Sequence, residues 1–285
     1  MKISVVILTY NGGDELRQVV KILQEQDVEA EVEYVAVDSG STDGTPEFLQ
    51  KAGFHVYPIA KKDFSYGPTR EYAFQCSTGE IIVTQSQDVL PVDRTYLRAM
   101  VDPIIKDQAD VVQGVSSAPL ADSSVFLWDR KGALYFTREG WEFMKKYGNI
   151  GLSCTSLAIS RKAWQATGFA GTPYCTDKFI QRHLAEKGFR MVPSQSVVVY
   201  HGHSYNLRSL IKRCTNEGFG WRVAGATYSI RSFLYDLTLG FARHGKMWAK
   251  AICRGEARDL ATIFFFQIRP ICLLIGNRIL KDVIR

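Results

Sequence analysis

The apolar positions in the amino-terminal half of the chain alternate between two periods. Residues 4–9, Ser-Val-Val-Ile-Leu-Thr, form a β-branched run that stops at Asn11-Gly12-Gly13, as a buried strand ending in a loop does. Residues 14–26 then carry Leu16, Val19, Val20 and Leu23 at helical spacing. A second strand is predicted over 32–37, running into Asp38-Ser39-Gly40-Ser41, with Asp43 placed to cap a helix through Phe48 and Leu49. A third strand over 54–59, a helix over 68–76 and a fourth strand over 80–84 follow. Beyond Asp88 the pattern predicts a helix over 93–105, a strand over 110–115, a long aromatic stretch through Tyr147, a strand over 153–160, a helix over 177–187 and a strand over 196–200 ending at His201. From Asn206 onward the pattern is helical only.

Strands that alternate with helices imply right-handed βαβ units. The expected fold is therefore α/β, a mostly parallel, Rossmann-like sheet flanked by helices. A boundary is expected at 205/206, between an α/β domain (1–205) and a helical carboxyl-terminal region (206–285). Ligands of such sheets sit outside the carboxyl ends of the strands. The groups at those ends are Thr9-Tyr10-Asn11, Asp38-Ser39 and Gln87-Asp88.

Composition removes several alternatives. With 46 % hydrophobic and 22 % charged residues, the chain is neither disordered nor collagenous nor a coiled coil. At the start a single Lys precedes a short apolar run and polar Asn11 and Asp14 follow, so no signal peptide is expected. The stretch 261–276 is interrupted by Arg269-Pro270 and falls short of the roughly 20 apolar residues that span a bilayer. It is expected not to cross one. Six widely spaced cysteines without a CxxC pair argue against a zinc ribbon or disulfide framework and for buried thiols in a reducing, cytoplasmic compartment.

The net charge of +6 is a mild excess that does not point to nucleic acid. Its distribution says more. Residues 206–285 hold 14 Lys and Arg against 5 Asp and Glu, a net +9, whereas residues 1–205 hold 21 against 24, a net −3. Trp221, Phe233, Trp248 and Phe264-Phe265-Phe266 interleave with the basic residues. Such a surface suits peripheral contact with an anionic membrane; aromatics packed against the main domain are the alternative.

Each strand-end group admits a functional and a plain reading. An Asp after a second strand can accept hydrogen bonds from a pyrimidine N–H or a ribose hydroxyl, and an Asn or Thr after the first can hold a base or sugar edge. Asn-Gly and Asp-Ser-Gly-Ser also form turns unaided. Asp88 can bind a hard divalent cation that bridges two phosphates, or simply precede Pro91 in a loop. His201 and His203 are two apart; if extended, both face one side, where one could complete a metal shell. Asp177 at a helix start is either a cap or a general base. Arg70 at another helix start meets a phosphate or pyrimidine carbonyl, or lies on the surface.

These pieces stand in a familiar order. Ser4-Val5-Val6-Ile7-Leu8-Thr9-Tyr10-Asn11, then Asp38-Ser39-Gly40-Ser41-Thr42-Asp43-Gly44-Thr45, then the Gln87-Asp88 strand end, resemble the family 2 inverting glycosyltransferases of the GT-A fold over about residues 3–205. Phe64-Ser65-Tyr66-Gly67-Pro68-Thr69-Arg70, Thr84-Gln85-Ser86-Gln87-Asp88, Asp177-Lys178 and Tyr200-His201-Gly202-His203 are similar to the rhamnosyltransferase-type branch. The resemblance implies that Thr9, Asn11, Asp38, Arg70 and Gln87 bind the nucleotide, that Asp88 and His201 ligate Mg²⁺ or Mn²⁺, and that Asp177 is the catalytic base. It implies transfer of a single sugar from a nucleoside diphosphate donor, rhamnose from dTDP-rhamnose by the branch, to a cell-surface glycan or lipid-linked acceptor at the inner face of the cell membrane.

The chain departs from the pattern at three places. Leu8 stands where a Pro is common, Ser86 occupies the first position of the usual Asp-x-Asp, and Thr176 replaces the acidic residue before the catalytic Asp. The Gln-x-x-Arg-Trp signature of processive synthases is missing at Gln181-Arg182-His183. The lost carboxylate at Ser86 keeps open a second reading, a catalytically idle nucleotide-sugar binding or scaffold protein. A nucleotidyltransferase would need a basic, Gly-rich loop after the first strand, where Asn11-Gly12-Gly13-Asp14-Glu15 is acidic.

Overall fold

The computed structural model describes residues 1–118, 123–132, 137–169 and 175–284. The chain divides into two compact units, Met1–Ser117 with Ile150–His201 (unit 1) and Ala118–Asn149 with Gly202–Arg285 (unit 2). The strands are β1 (Lys2–Thr9), β2 (Glu31–Asp38), β3 (His55–Pro58), β4 (Ile81–Ser86), β5 (Leu90–Pro91), β6 (Val111–Ser117), β7 (Ser156–Ser160) and β8 (Met191–Tyr200). The first helices are α1 (Gly13–Gln24), α2 (Thr45–Lys51), α3 (Tyr66–Gln75), α4 (Tyr96–Ile105), α5 (Leu127–Arg130) and α6 (Arg138–Lys146). Those after β7 are α7 (Arg161–Thr167), α8 (Thr176–Glu186), α9 (Leu207–Val223), α10 (Ile230–Tyr235), α11 (Phe241–Cys253) and α12 (Leu260–Arg278). A π-helical turn, Asp236–Gly240, joins α10 to α11.

All eight strands belong to unit 1 and form one sheet in the order β3-β2-β1-β4-β7-β6-β8-β5. β1 is buried on both faces: Ile3, Val5 and Ile7 join one core and Val6 the other. That double burial is why its sequence is unbroken apolar rather than alternating. Leu16, Val19, Val20 and Leu23 of α1 all face the first core, as their spacing predicts. The four strands β3-β2-β1-β4 are parallel and share a carboxyl rim. β7, however, enters antiparallel to both β4 and β6, and β5 pairs antiparallel with β8. β6 and β8 pair parallel, so parallel pairings are the majority as expected; the antiparallel β7 is not foreseen because a buried apolar run such as 156–160 reads the same in either direction.

Residues 118–149 form part of unit 2, whereas the sequence reading kept them in a domain of 1–205. Phe126, Leu127 and Trp128 are buried in one core with Leu210, Phe265 and Phe266. The Trp128 indole N–H donates to the Thr262 carbonyl at 2.7 Å. Aromatic residues without a strand period carry no sign of which core they join. The helical part does begin at the expected place: the Asn206 side chain accepts from the Ser209 N–H while the Ser209 hydroxyl caps Asn206 in return.

Helix α12 is long and apolar enough to cross a membrane by length and composition, with a mean hydropathy of 1.5 over its best window. Its packing accounts for that character otherwise. More than half of that window (56 %) is buried inside unit 2, and Arg269, 4 % exposed, pairs with Glu217 of α9 at 2.8 Å. α9 and α12 touch backbone to backbone. A Cβ on Gly276 would lie 1.9 Å from the Thr215 carbonyl oxygen, and one on Gly218 would lie 2.3 Å from that of Leu273.

Gly276→Ala must therefore push the two helices apart, and it is expected to cost about 1–3 kcal/mol. Gly245→Ala, inside α11 with nothing within 4 Å of the added methyl, is expected to gain about 0.5–1 kcal/mol from helix propensity. Denaturant unfolding of the two variants beside the parent measures both, and equal stabilities would contradict the close helix contact.

Candidate active site

The rim at the carboxyl ends of β1, β2 and β4 is assembled by hydrogen bonds between side chains and loops. Thr9 and Asp38 are register partners in adjacent strands. The Thr9 hydroxyl donates to Asp38 Oδ2 at 3.0 Å, and both residues are buried. Asp38 also accepts from the backbone N–H of Gly40 (3.0 Å) and Ser41 (2.8 Å) and from the Ser41 hydroxyl (2.6 Å). Four donors thus fill the four acceptor positions of one carboxylate. Gly40 adopts φ +80°, which the tight turn under Asp38 requires.

Asn11 bridges this turn to the loop after β1. Its N–H donates to the Ser41 hydroxyl at 2.8 Å, and its Oδ1 accepts from the Thr42 N–H at 2.9 Å. Its φ of +46° is left-handed, a conformation Asn tolerates better than most side chains. Asp43 completes the join, accepting from the Gly13 and Thr45 N–H groups at 3.0 and 3.1 Å. The Thr45 side-chain hydroxyl is the main cause that lowers its pKa, with the Gly13 and Thr45 N–H groups adding to it. It therefore caps α2 as expected, but from one residue before the Gly44 cap position. Gln87 ties the loop after β4 to the same place. Its Oε1 accepts from the Tyr10 N–H (2.9 Å) and its Nε2 donates to the Tyr10 carbonyl (3.1 Å), as a paired strand would.

Asp88 is exposed, and its Oδ1 lies 3.9 Å from His201 Nδ1. That separation is too long for a hydrogen bond, yet a cation with bonds of about 2.1 Å spans gaps up to about 4.2 Å. One carboxylate and one imidazole, with open positions for phosphate oxygens and water, therefore fit Mg²⁺ or Mn²⁺. Among the described residues no cluster of three His, Cys, Asp or Glu exists, consistent with Ser86 standing in place of a second carboxylate. His201 and His203 do not share a face. β8 ends at Tyr200, and His203 Nδ1 and its backbone N–H both meet Asp129 Oδ2, at 2.9 and 3.0 Å, within unit 2.

Arg70 and Asp177 form the third group. Arg70 is 7 % exposed in α3, and its Nη1 donates to the Thr176 hydroxyl at 3.1 Å. Its Nε is buried without a hydrogen-bond partner. Thr176, noted in the sequence only as a departure, thus anchors the guanidinium one residue from Asp177. Asp177 is not a helix cap. That position is Cys175, held at φ +53° without a side-chain cap bond. Among the described residues, Asp177 Oδ1 accepts from the adjacent Lys178 N–H at 2.9 Å. Both charges act on the buried Cys154 thiol, whose pKa burial raises to about 11 against the pull of Arg70. The segment containing Cys154 reaches the rim, since Ser86 N–H donates to the Thr155 carbonyl at 3.1 Å.

One rim residue, Lys61, is not foreseen from the sequence. Lys61 Nζ stands 4.3 Å over the Tyr10 ring and donates to its hydroxyl at 2.6 Å, so a cation sits beside the loop after β1. A Lys-Lys pair after a short strand carries no motif, and nothing in the chain order pairs it with Tyr10.

A parallel β3-β2-β1-β4 core extended by an antiparallel β7, with its polar groups at one rim, is the GT-A fold of nucleotide-sugar glycosyltransferases. A mannosyltransferase from Pyrobaculum calidifontis, solved with GDP-Man and Mn²⁺, is 18 % identical at a TM-score of 0.63, covering 98 % of this chain and 88 % of that one. The S. aureus TarS 1–349 complex with UDP-GlcNAc is 18 % identical at 0.55, covering 72 % of this chain, which spans 60 % of its length. The model of "Glycosyl transferase family 2" matches residues 4–166, and the chain belongs to that family. It is similar to the O-antigen chain rhamnosyltransferase RfbN of Salmonella typhimurium (strain LT2), 24 % identical over 231 residues that cover 76 % of this chain and 72 % of that protein. The chain is a glycosyltransferase.

Gln87→Ala removes both bonds to the Tyr10 backbone, each worth about 0.5–1.5 kcal/mol. Amide exchange at Tyr10 and Asn11 is expected to accelerate about tenfold or more, with the β1 core unchanged. Unaltered exchange would show that the clip does not hold the loop.

Proposed function

We propose that the protein transfers a single sugar, with inversion, from a nucleoside diphosphate donor to a cell-surface glycan or lipid-linked acceptor, with Asp177 as general base. The observation that carries this reading is the pairing of Arg70 with Thr176 immediately beside a carboxylate that is not the helix cap and, among the described residues, forms no ion pair. The acceptor hydroxyl gives its proton to Asp177 as its oxygen bonds to the anomeric carbon. The bond from that carbon to the diphosphate oxygen breaks, and the nucleoside diphosphate leaves. Asp88 and His201 would hold a divalent cation, Mg²⁺ or Mn²⁺, which when bound would supply charge that stabilises the leaving diphosphate. Arg70, with one unmet N–H in a buried guanidinium, adds to that field, where electrostatic stabilisation is strongest. Thr9, Asn11, Asp38 and Gln87 shape the nucleoside end; a base or ribose reaching Asp38 replaces one of its four present donors. Similarity to RfbN favours dTDP-rhamnose as donor, and thermal shifts against a panel of nucleotide sugars with Mg²⁺ or Mn²⁺ test that choice.

Asp177→Asn is expected to lower the transfer rate about 10²–10⁴-fold while titrations of donor with Mn²⁺ stay near those of the parent. Transfer at the parent rate would remove Asp177 from this role. The missing carboxylate at Ser86 favours the idle-binder reading. That reading predicts donor binding with no turnover in the parent protein.

Unit 2 supports the membrane part of the proposal, peripheral contact at the cytoplasmic face. It holds 19 Lys and Arg against 9 Asp and Glu, a net +10, whereas unit 1 holds 16 against 20, a net −4. It also carries 12 of the 19 exposed large hydrophobic side chains, Leu234, Leu239 and Phe264 among them. The full chain is expected to float with vesicles containing anionic lipid, less so as salt rises. Lys246→Glu with Lys250→Glu, both exposed on α11, should reduce flotation. Salt-independent flotation on neutral vesicles would argue against the electrostatic contact.

A further inference from the structure

Unit 2 carries an open cavity of about 590 Å³ that shares no residue with the rim of unit 1. Phe265, Phe266 and Arg269 of α12 line it, with α6 contributing Arg138, Trp141 and Lys145. Tyr235, the π-helical turn and Arg243 supply the remainder. A π turn costs hydrogen-bond geometry and tends to persist where a site needs the wider backbone.

The cavity is cationic. The Arg138 and Arg243 guanidinium groups lie 5.1 and 5.6 Å from the centre of the Tyr235 ring. Among the described residues neither forms an ion pair. Arg269 is neutralised by Glu217, and Lys145 is 3.9 Å from Glu142. The remaining carboxylate, Asp236, takes the Arg138 backbone N–H (2.9 Å) and the Tyr228 hydroxyl (2.6 Å), and burial raises its pKa. The surface is also apolar. Trp141 is 43 % exposed, and the His244 ring stacks on Phe266 at 5.2 Å and 12°. Leu234 and Leu239, on either side of Tyr235 and Asp236 in the chain, are 54 % and 62 % exposed.

These features restrict the ligand. A neutral lipid would desolvate two guanidinium groups that hold no ion pair among the described residues, which is unfavourable. A small inorganic anion would leave the aromatic surface in water. An amphiphile satisfies both, its phosphate bidentate on arginine and its chain along the aromatic lining. We propose that this cavity binds a lipid phosphate or diphosphate, one or two phosphates esterified to an apolar chain. The inference rests on the reading that the acceptor is lipid-linked and names the part of unit 2 that holds its anchor. The same chemistry is present in a bilayer phospholipid, so the test separates the two sources.

Isothermal titration of the full chain in EDTA, so that no metal recruits diphosphate to Asp88, is made with farnesyl diphosphate, short-chain phosphatidylglycerol below its micelle concentration, and pyrophosphate. Binding of farnesyl diphosphate, weakened at least tenfold in Arg138→Glu/Arg243→Glu, supports a lipid-linked anchor. The same pattern with phosphatidylglycerol alone supports a bilayer phospholipid. Arg243→Gln, at an exposed position, repeats the test with less risk to folding and should weaken binding severalfold. Binding of neither lipid, pyrophosphate binding as tightly as the lipids, or unchanged binding in both variants would overturn the proposal. Donor titration with Mn²⁺ is run on every variant and is expected to match the parent. Lipid binding can thus fail while donor binding persists, which sinks this inference alone, whereas loss of donor turnover in the parent sinks only the transfer reading.

Discussion

Four hydrogen bonds converge on the Asp38 carboxylate, and the shape of the strand-end rim follows from them. Thr9 supplies one from the neighbouring strand and the Gly40-Ser41 turn supplies three. Ser41 then receives the Asn11 N–H, so a single buried charge indirectly sets the loop after β1 as well. A carboxylate in such a place is tolerable only because its acceptor capacity is filled. The result is a surface of fixed polar groups, a form suited to binding a charged ligand without reorganisation.

Much of this rim was legible from residues 4–45, because the relevant signals are local. A β-branched run stopping at Asn11-Gly12 and a second stopping at Asp38-Ser39-Gly40-Ser41 place their polar ends together whenever the strands are parallel neighbours. Asp88 and His201 also meet as the family resemblance implied, although they are far apart in sequence. What escaped reading depends on long-range choices. The direction of β7 leaves no trace in its composition. Lys61 beside Tyr10 and Thr176 beneath Arg70 are ordinary residues that acquire meaning only when two loops meet. The divergence of His201 and His203 arises because extension stops at Tyr200, so the period-2 expectation no longer applies.

The two units have opposite electrostatic characters. Unit 1 is slightly acidic overall, with Arg70 and Lys61 among its cations near the rim. Unit 2 is strongly basic, and it buries one of its own positive charges through the Arg269–Glu217 pair between α9 and α12. Removing one partner of such a pair leaves an uncompensated buried charge, so that contact ties helix packing to a single ionic match. The Gly218 and Gly276 contacts beside it leave the two helices no room to repack around a change.

The nested order of the segments has a consequence for biogenesis. Residues 118–149 leave the ribosome before β7 and β8, yet their burial partners, Leu210 and Phe265 among them, are synthesised last. Trp128 and its neighbours must therefore wait, apolar and uncovered, through the translation of more than a third of the polypeptide. Folding that closes such distant contacts is slow and exposes sticky intermediates, and nascent chains of this enzyme are natural clients for chaperones during that interval.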